Sequence, residues 1–244
     1  MSGLAASARA PGLFVAPGVE IPDDAELGAN VVIHPGVVIG AGCVLQDGAV
    51  LGKRLVLSRH TTTPAASADE AVTVLEPGAQ VGCHAVIVAG ASLGPGAVVG
   101  DHSLIRERAR LDAASMIGHG GVIGRDCRIG ARSKLMAGAI LGHDMVFEED
   151  VFCGPGLRIT DDHTMGRHHG VELPFVTLRR ACRIGANTTL MTGLEVGEEA
   201  MVGAGSVVTK DVAARTVVFG VPARYFRDVT DAELRERHPP GVRT

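Results

Sequence analysis

Between Leu75 and Ile159 an apolar side chain returns at every sixth position fifteen times in succession, from Leu75, Val81 and Ile87 through to Phe147, Cys153 and Ile159. A small residue follows four positions later in unit after unit: Ala79, Ala85, Ala91, Ala97, Ser103, Ala109, Ser115, Gly121, Cys127, Ser133 and Ala139. A beat of six matches neither the helical repeat of about 3.6 nor the strand repeat of two, so it belongs to a coil whose turns recur at fixed intervals. Strand alternation sends positions i and i+4 to the same face, so each unit points one large and one small side chain into a common interior. Gly, Pro, Asp and Asn between them supply the turns. The pattern predicts an all-β solenoid, short strands wound into a prism.

The same beat starts at Val15, Ile21, Leu27, Ile33, Ile39, Leu45 and Leu51 and resumes at Leu178, Ile184, Leu190, Val196, Val202 and Val208. Two stretches break it. Leu57, Thr63 and Asp69 fail the pattern, and no glycine lies between Gly52 and Gly78, which predicts an excursion near 52–74, a surface loop or a wall over a pocket. Ile159 and Leu178 are 19 residues apart, one more than three units, and the intervening TDDHTMGRHHGVELPFVT (160–177) holds two aspartates and three histidines. That segment reads as a loop thrown out of the prism, where binding and catalytic groups concentrate. The expected organisation is an arm or partial cap over 1–14, the solenoid over 15–212, and a C-terminal segment over 213–244. In the last, Thr230 followed by Glu233 forms a capping box and Pro239 a stop, which predicts a short helix covering the final coil.

Composition agrees with a narrow interior: aromatics are 3 % of the 244 residues, with no Trp and one Tyr, because each layer has room for aliphatic corners and small fillers only. The formal net charge of −4, with no basic stripe, gives no reason to expect a nucleic-acid partner. No apolar run approaches the ~20 residues of a membrane span and the first residues lack an apolar signal core, so a cytoplasmic protein without a membrane partner is expected. Cys43, Cys127 and Cys182 fall in the small inward slot and Cys153 in the large one, where a thiol packs as a small hydrophobe. Only Cys83 falls at a turn, there is no CxxC pair, and no metal is predicted.

If three units complete one coil, residues eighteen apart stack on one corner, ~4.8 Å from coil to coil. Glu107, Arg125, His143 and Asp161 form such a column, and Arg108, Asp126, Asp144 and Asp162 the next one, both leading to the 160–177 loop. Ionisable groups gathered this way shift one another's pKa and mark a candidate site; the plainer reading is a solvated, salt-bridged corner. His84 and His102, with Asp101 and His119 one position earlier, read as turn chemistry, and His34, His60 and His238 as surface residues.

The units IGAGCV, LGPGAV and VGAGSV, followed by VTKDV and GVPAR, resemble the hexapeptide-repeat acyltransferases, whose fold is a left-handed parallel β-helix. VFCGPG before an Asp-bearing loop, then RRACRIGANTTLMTGLEVGEEAMVGAGSVVTKDV, is most similar to nucleotide-sugar N-acetyltransferases acting on amino sugars. The resemblance implies a homotrimer with active sites between adjacent helices and acetyl-CoA as acyl donor. It places the backbone around Ala204 and Gly205 near the pantetheine arm, and Lys210 and Arg224 at the phosphates. Two departures stand out. Related acyltransferases of lipid A synthesis carry their general base in a stretch like AHDCTVG; here Gly124 to Gly130 puts Arg125 in place of that histidine, so the assignment does not carry over. The amino-sugar branch typically reads TNDLYPRA against Thr160, Asp161, Asp162, His163 and Thr164 here; Asp162 matches the aspartate that meets the sugar amine, Asp161 replaces an Asn, and His163 is new.

The chemistry so implied is attack of a neutral amine on a thioester carbonyl through an oxyanion held by backbone N–H groups. Asp162 is expected to orient the amine, with His143 or His163 taking the proton, and Glu107, Arg125 and Asp161 contacting the acceptor. Two other classes compete. His163 and His168, five apart, resemble part of the zinc site of carbonic anhydrases on the same helix, but Gly124 stands where a partner for His119 is needed. A noncatalytic scaffold would have no use for VTKDV and GVPAR. Within the acyltransferase reading, O-acetylation of a sugar and succinylation of an amino acid stay open.

Overall fold

The computed structural model describes residues 3–56, 72–165, 167 and 174–237. Each six-residue unit is a strand of two or three residues and a tight corner; three units make a coil, and about ten coils stack. Strands one coil apart pair in parallel, so Leu93 lies beside Leu111, Leu111 beside Ile129 and Ile129 beside Phe147. In chain order the first face carries Val15, Ile33, Leu51, Ile87, Ile105 and Ile123, the second Ile39, Leu75, Leu93 and Leu111, and the third Leu27, Leu45, Val81 and Val99.

The core is the one the periodicity predicts. The apolar positions from Leu75 to Ile159 are all buried, as are Ala79, Ala85, Ala91, Ala97, Ser103, Ala109, Ser115, Cys127, Ser133 and Ala139. Large side chains stack on large and small on small from coil to coil, the alternation that close packing of a narrow interior requires. Cys43, Cys127, Cys153 and Cys182 are buried free thiols. Burial pushes the Cys127 and Cys182 thiols up to about 12, so they serve as packing and not as nucleophiles.

The breaks in the beat share one place. Leu51 to Leu75, Ile159 to Leu178 and the shortened step from Val208 to Val212 all join a first-face strand to a second-face strand. The excursion expected over 52–74 is narrower, because strands Val50–Lys53 and Thr73–Leu75 already belong to the coil; residues 57–71 lie outside the described residues. Outward side chains also differ between faces. On the first face they are apolar over successive coils, from Phe14 through Val32, Val50, Val86, Leu104 and Val122 to Ile140, whereas the second carries Arg110 and Arg128 and the third Lys134 and Arg183.

Both ends are closed by hairpins. Ala5–Ser7 folds back antiparallel on Leu13–Val15, so the segment expected as an arm is partly sheet, with Leu13 buried. At the other end Thr216–Gly220 and Ala223–Asp228 form a second antiparallel pair against the last coil. The short helix expected over the last coil is replaced by two single 3-10 turns, Asp231–Glu233 and Arg235–Arg237. Thr230 does meet Glu233, whose carboxylate accepts from the Thr230 N–H at 2.9 Å, but Leu234 turns extended to bury its side chain and stops the helix after one turn. Arg235 then pins the segment sideways, its N–H 3.0 Å from Glu199 and its guanidinium 3.1 Å from Asp150. His238 and Pro239 lie outside the described residues.

The small inward slots make a testable contrast. Ser103 Oγ donates to the Gly118 carbonyl at 3.1 Å and accepts from the Gly121 N–H at 3.1 Å, whereas the buried Ser115 Oγ has no partner among the described residues. An unsatisfied buried hydroxyl costs about 1–3 kcal/mol and a satisfied one contributes about 1 kcal/mol. Thermal unfolding is therefore expected to show Ser115→Ala equal to or more stable than the wild type, and Ser103→Ala less stable by about 1 kcal/mol.

Candidate active site on one corner of the coil

The corner between the first and second faces is where charge gathers. Its left-handed turn position is glycine at Gly18 and Gly36 but Arg108, Asp126 and Asp144 in three later coils, with φ of 56°, 59° and 58°. Asp tolerates this conformation and Arg holds it at a cost of about 1 kcal/mol, so the edge accepts strain to present charged groups. Backbone bonds set the register: Asp126 N–H to the Glu107 carbonyl at 3.1 Å, and Asp144 N–H to the Arg125 carbonyl at 2.9 Å.

The side chains form a chain of ion pairs across both columns. Arg108 grips Asp126 through two bonds of 2.6 and 2.7 Å, Arg125 reaches Asp126 at 3.0 Å and Asp144 at 3.6 Å, and His143 Nδ1 lies 2.6 Å from Asp144 Oδ2. The hydrogen bonds from Arg108, before those from Arg125, hold the Asp126 carboxyl below the usual carboxylate range against a smaller desolvation effect. Half-exposed pairs of this kind contribute little stability, so their effect is to fix geometry. A carboxylate offers only acceptors, so Nδ1 is the nitrogen that donates toward Asp144, and in the neutral imidazole that leaves the lone pair on Nε2.

Other expected site residues take separate places. Glu107 is buried and turned to Arg106, which holds it at 2.9 and 3.1 Å, so it stands beside the network instead of in it. Asp161 does stack on this corner: a Cβ on Gly142 would lie 2.5 Å from that of Asp161, so glycine is required there and Asp161 packs against Gly142, the residue before His143. Asp162 accepts from the Thr164 N–H at 2.6 Å and its hydroxyl at 2.7 Å, which ties down the start of the loop. His163 is exposed in the following turn, and His168 lies outside the described residues. Among the described residues no group of three His, Cys, Asp or Glu is placed to hold a metal ion. His84 and His102 stack as rings 5.3 Å apart on the corner between the third and first faces.

Past the loop, the same edge carries a cavity of ≈ 320 Å³ lined by Thr209, Lys210, Asp211, Arg224 and Tyr225 over an apolar floor that includes Val208 and Val218. Lys210 and Arg224 thus come together, while Ala204 and Gly205 sit on the corner at the other end of the Val207–Val208 strand and do not line it. In register, Gly193 and Asp211 continue the line of Asp144, so the cavity lies three coils, ~14 Å, from the His143 pair, with the loop leaving between them. The His143–Asp144 contact joins sequence neighbours from two columns, and eighteen-residue arithmetic, which looks only along a column, missed it.

The family model "Bacterial transferase hexapeptide (six repeats)" matches residues 15–53, and "Hexapeptide repeat of succinyl-transferase" matches 122–148 and 180–210. The chain is 35 % identical over 73 residues to galactoside O-acetyltransferase of Escherichia coli, covering 30 % of this chain and 34 % of that one. It is 47 % identical over 47 residues to dTDP-3-amino-3,6-dideoxy-alpha-D-galactopyranose 3-N-acetyltransferase of Aneurinibacillus thermoaerophilus, covering 19 % and 24 %. It thus spans about a third and about a quarter of the length of these two curated relatives. Among solved structures, the acetyltransferase domain of PglB from Neisseria gonorrhoeae in complex with acetyl coenzyme A is similar at 19 % identity and a TM-score of 0.31, covering 63 % of this chain and 54 % of that chain. With six-residue units running through the described coils and two hexapeptide models matched on separate segments, the chain is a β-solenoid built of hexapeptide repeats, and its sequence relatives include acetyltransferases.

Proposed function

We propose that the chain is an acyl-CoA-dependent acyltransferase that acetylates the amine of a nucleotide-linked amino sugar or a similar small amine. The observation that carries this reading is the shared edge: the His143–Asp144–Arg125 network and the Lys210–Arg224 cavity lie on one corner of the coil, on either side of the 160–177 loop. Acetyl-CoA lies with its phosphates against Lys210 and Arg224 and its thioester directed along the edge toward His143. The acceptor ammonium gives a proton to solvent on binding, and its lone pair attacks the thioester carbon. His143 Nε2 takes one of the two protons left on the nitrogen as the tetrahedral intermediate forms, the other stays on the amide, and the thiolate of CoA leaves. Asp144 holds the imidazole in that tautomer and steadies the imidazolium, Arg125 orients Asp144, and Asp161 or Asp162 positions the amine. His163 is the alternative base.

The assembly proposed is a homotrimer with the site between neighbouring copies. Its support is the apolar outward row from Phe14 to Ile140, which spans six coil spacings, ~29 Å, on a face bordered by the charged corner. Sugar hydroxyls are a second class of acceptor, suggested by the name of the Escherichia coli relative.

Thiol release from acetyl-CoA, followed with purified protein over a panel of nucleotide-linked amino sugars, simpler amines and sugars, tests the reaction. Turnover is expected with an amine acceptor; His143→Ala is expected to lower kcat about 10²-fold or more, and Lys210→Ala to raise the KM for acetyl-CoA with kcat nearly unchanged. Unchanged turnover after alanine replaces both His143 and His163 would remove histidine from the mechanism, and stoichiometric zinc by elemental analysis would favour the carbonic-anhydrase-like alternative. Sedimentation equilibrium is expected to give three copies for the wild type and one for Leu104→Glu; a monomeric wild type contradicts the assembly.

A further inference from the structure

Beside the charged corner, the outward row of the second face runs Ser92, Arg110, Arg128, Val146. Arg110 and Arg128 stand directly opposite each other in register on adjacent parallel strands, and both are exposed. Like charges placed opposite across a strand pair repel, so a fold normally separates them or lends a carboxylate. None is lent here. Neighbouring Arg106, Arg108, Arg125 and Arg132 each reach a carboxylate, but Arg110 and Arg128 make no side-chain hydrogen bond or ion pair among the described residues. Asp126, two residues before Arg128, is fully engaged by Arg108 and Arg125, and Asp112, two residues after Arg110, makes no ion pair with either. The row therefore presents two guanidinium forks one strand spacing apart, ~4.8 Å, with a hydroxyl on the next coil.

We infer that Arg110 and Arg128 form an anion subsite that holds the diphosphate of the acceptor, an inference that rests on the acyltransferase reading for its place in the reaction. Two planar forks one coil apart match two adjacent phosphoryl groups, each gripped bidentately, and the bound charge cancels the repulsion between the arginines. The donor also carries a diphosphate, but the Lys210–Arg224 cavity lies several coils away, whereas Arg128 is on the same coil as Arg125 and one coil from His143. An acceptor anchored here by its nucleotide has its sugar directed across the corner to the His143–Asp144 pair. Arg110 and Arg128 thereby select nucleotide-linked acceptors over free amino sugars.

The test is calorimetric titration of the full chain with inorganic pyrophosphate and with uridine diphosphate, for the wild type, Arg110→Gln and Arg110→Gln/Arg128→Gln. Affinity is expected to fall about tenfold with the first substitution and further with both, while circular dichroism and Tm show the fold intact. In turnover, the double variant raises the KM of a nucleotide-linked amine at least tenfold, with kcat within twofold and the KM for acetyl-CoA unchanged. No diphosphate binding by the wild type, or equal binding by the double variant, overturns the subsite. A rise in the KM for acetyl-CoA instead assigns the diphosphate to the donor and overturns the acceptor assignment. If neither an amine nor a sugar hydroxyl is acetylated, the acyltransferase reading fails on its own, and the pyrophosphate titration still decides whether the arginines bind an anion.

Discussion

Backbone hydrogen bonding between successive coils holds each residue beside the one eighteen positions on, and every other feature of the molecule follows from that constraint. Arg110 N–H donates to the Cys127 carbonyl and Arg128 N–H to the Met145 carbonyl, both at 2.8 Å, and the ladder repeats along all three faces. A one-residue slip would turn Ile129 or Phe147 outward and a charged neighbour inward, so burial locks the register that the hydrogen bonds propose. Sequence spacing becomes spatial order.

This order gives surface chemistry a rigid frame. Ion pairs such as Arg108–Asp126 and Arg132–Asp150 each bridge two coils at exposed corners, where solvent screens them, and they stabilise the fold little. Their value is positional: a side chain whose backbone is fixed by the coil and whose tip is fixed by a counter-charge has few places to go. His143 is held in this way by Asp144, which in turn meets Arg125. Interruptions of the repeat, after Leu51, Ile159 and Val208, all fall on the same edge, where the ionisable groups are.

Much of this is legible before any coordinates. The apolar and small positions name the core residue by residue, since a coil has one interior and a fixed count per turn. The burial of four of the five cysteines follows from the same count. The stacking of Asp161 beside His143 follows from the period of eighteen together with Gly142, which leaves the space. What the period does not reach lies between columns or at the ends. Glu107 turns to its sequence neighbour Arg106, and His143 to Asp144, through rotamer choices that a column count ignores. The terminal hairpins and the 3-10 turns answer to edge satisfaction and to the burial of Leu13 and Leu234, which hexad counting does not register. That every break falls on one corner could have been found by numbering units modulo three; the sequence carries the signal in the identity of the faces on either side of each break.

The frame itself is tested most directly by cross-linking through space against sequence. With Cys83→Ser in place to remove the partly exposed native thiol, the pair Asp126→Cys/Asp144→Cys is eighteen residues apart on one corner, and the pair Asp126→Cys/Gly138→Cys is twelve apart on different corners. Disulfide formation needs Cα atoms within about 7 Å. Mild oxidation followed by intact-mass and peptide mapping is predicted to close the first pair within one chain and to leave the second as free thiols. Closure of the twelve-residue pair, or failure of the eighteen-residue pair under the same conditions, would contradict a three-unit coil and the shared edge that depends on it.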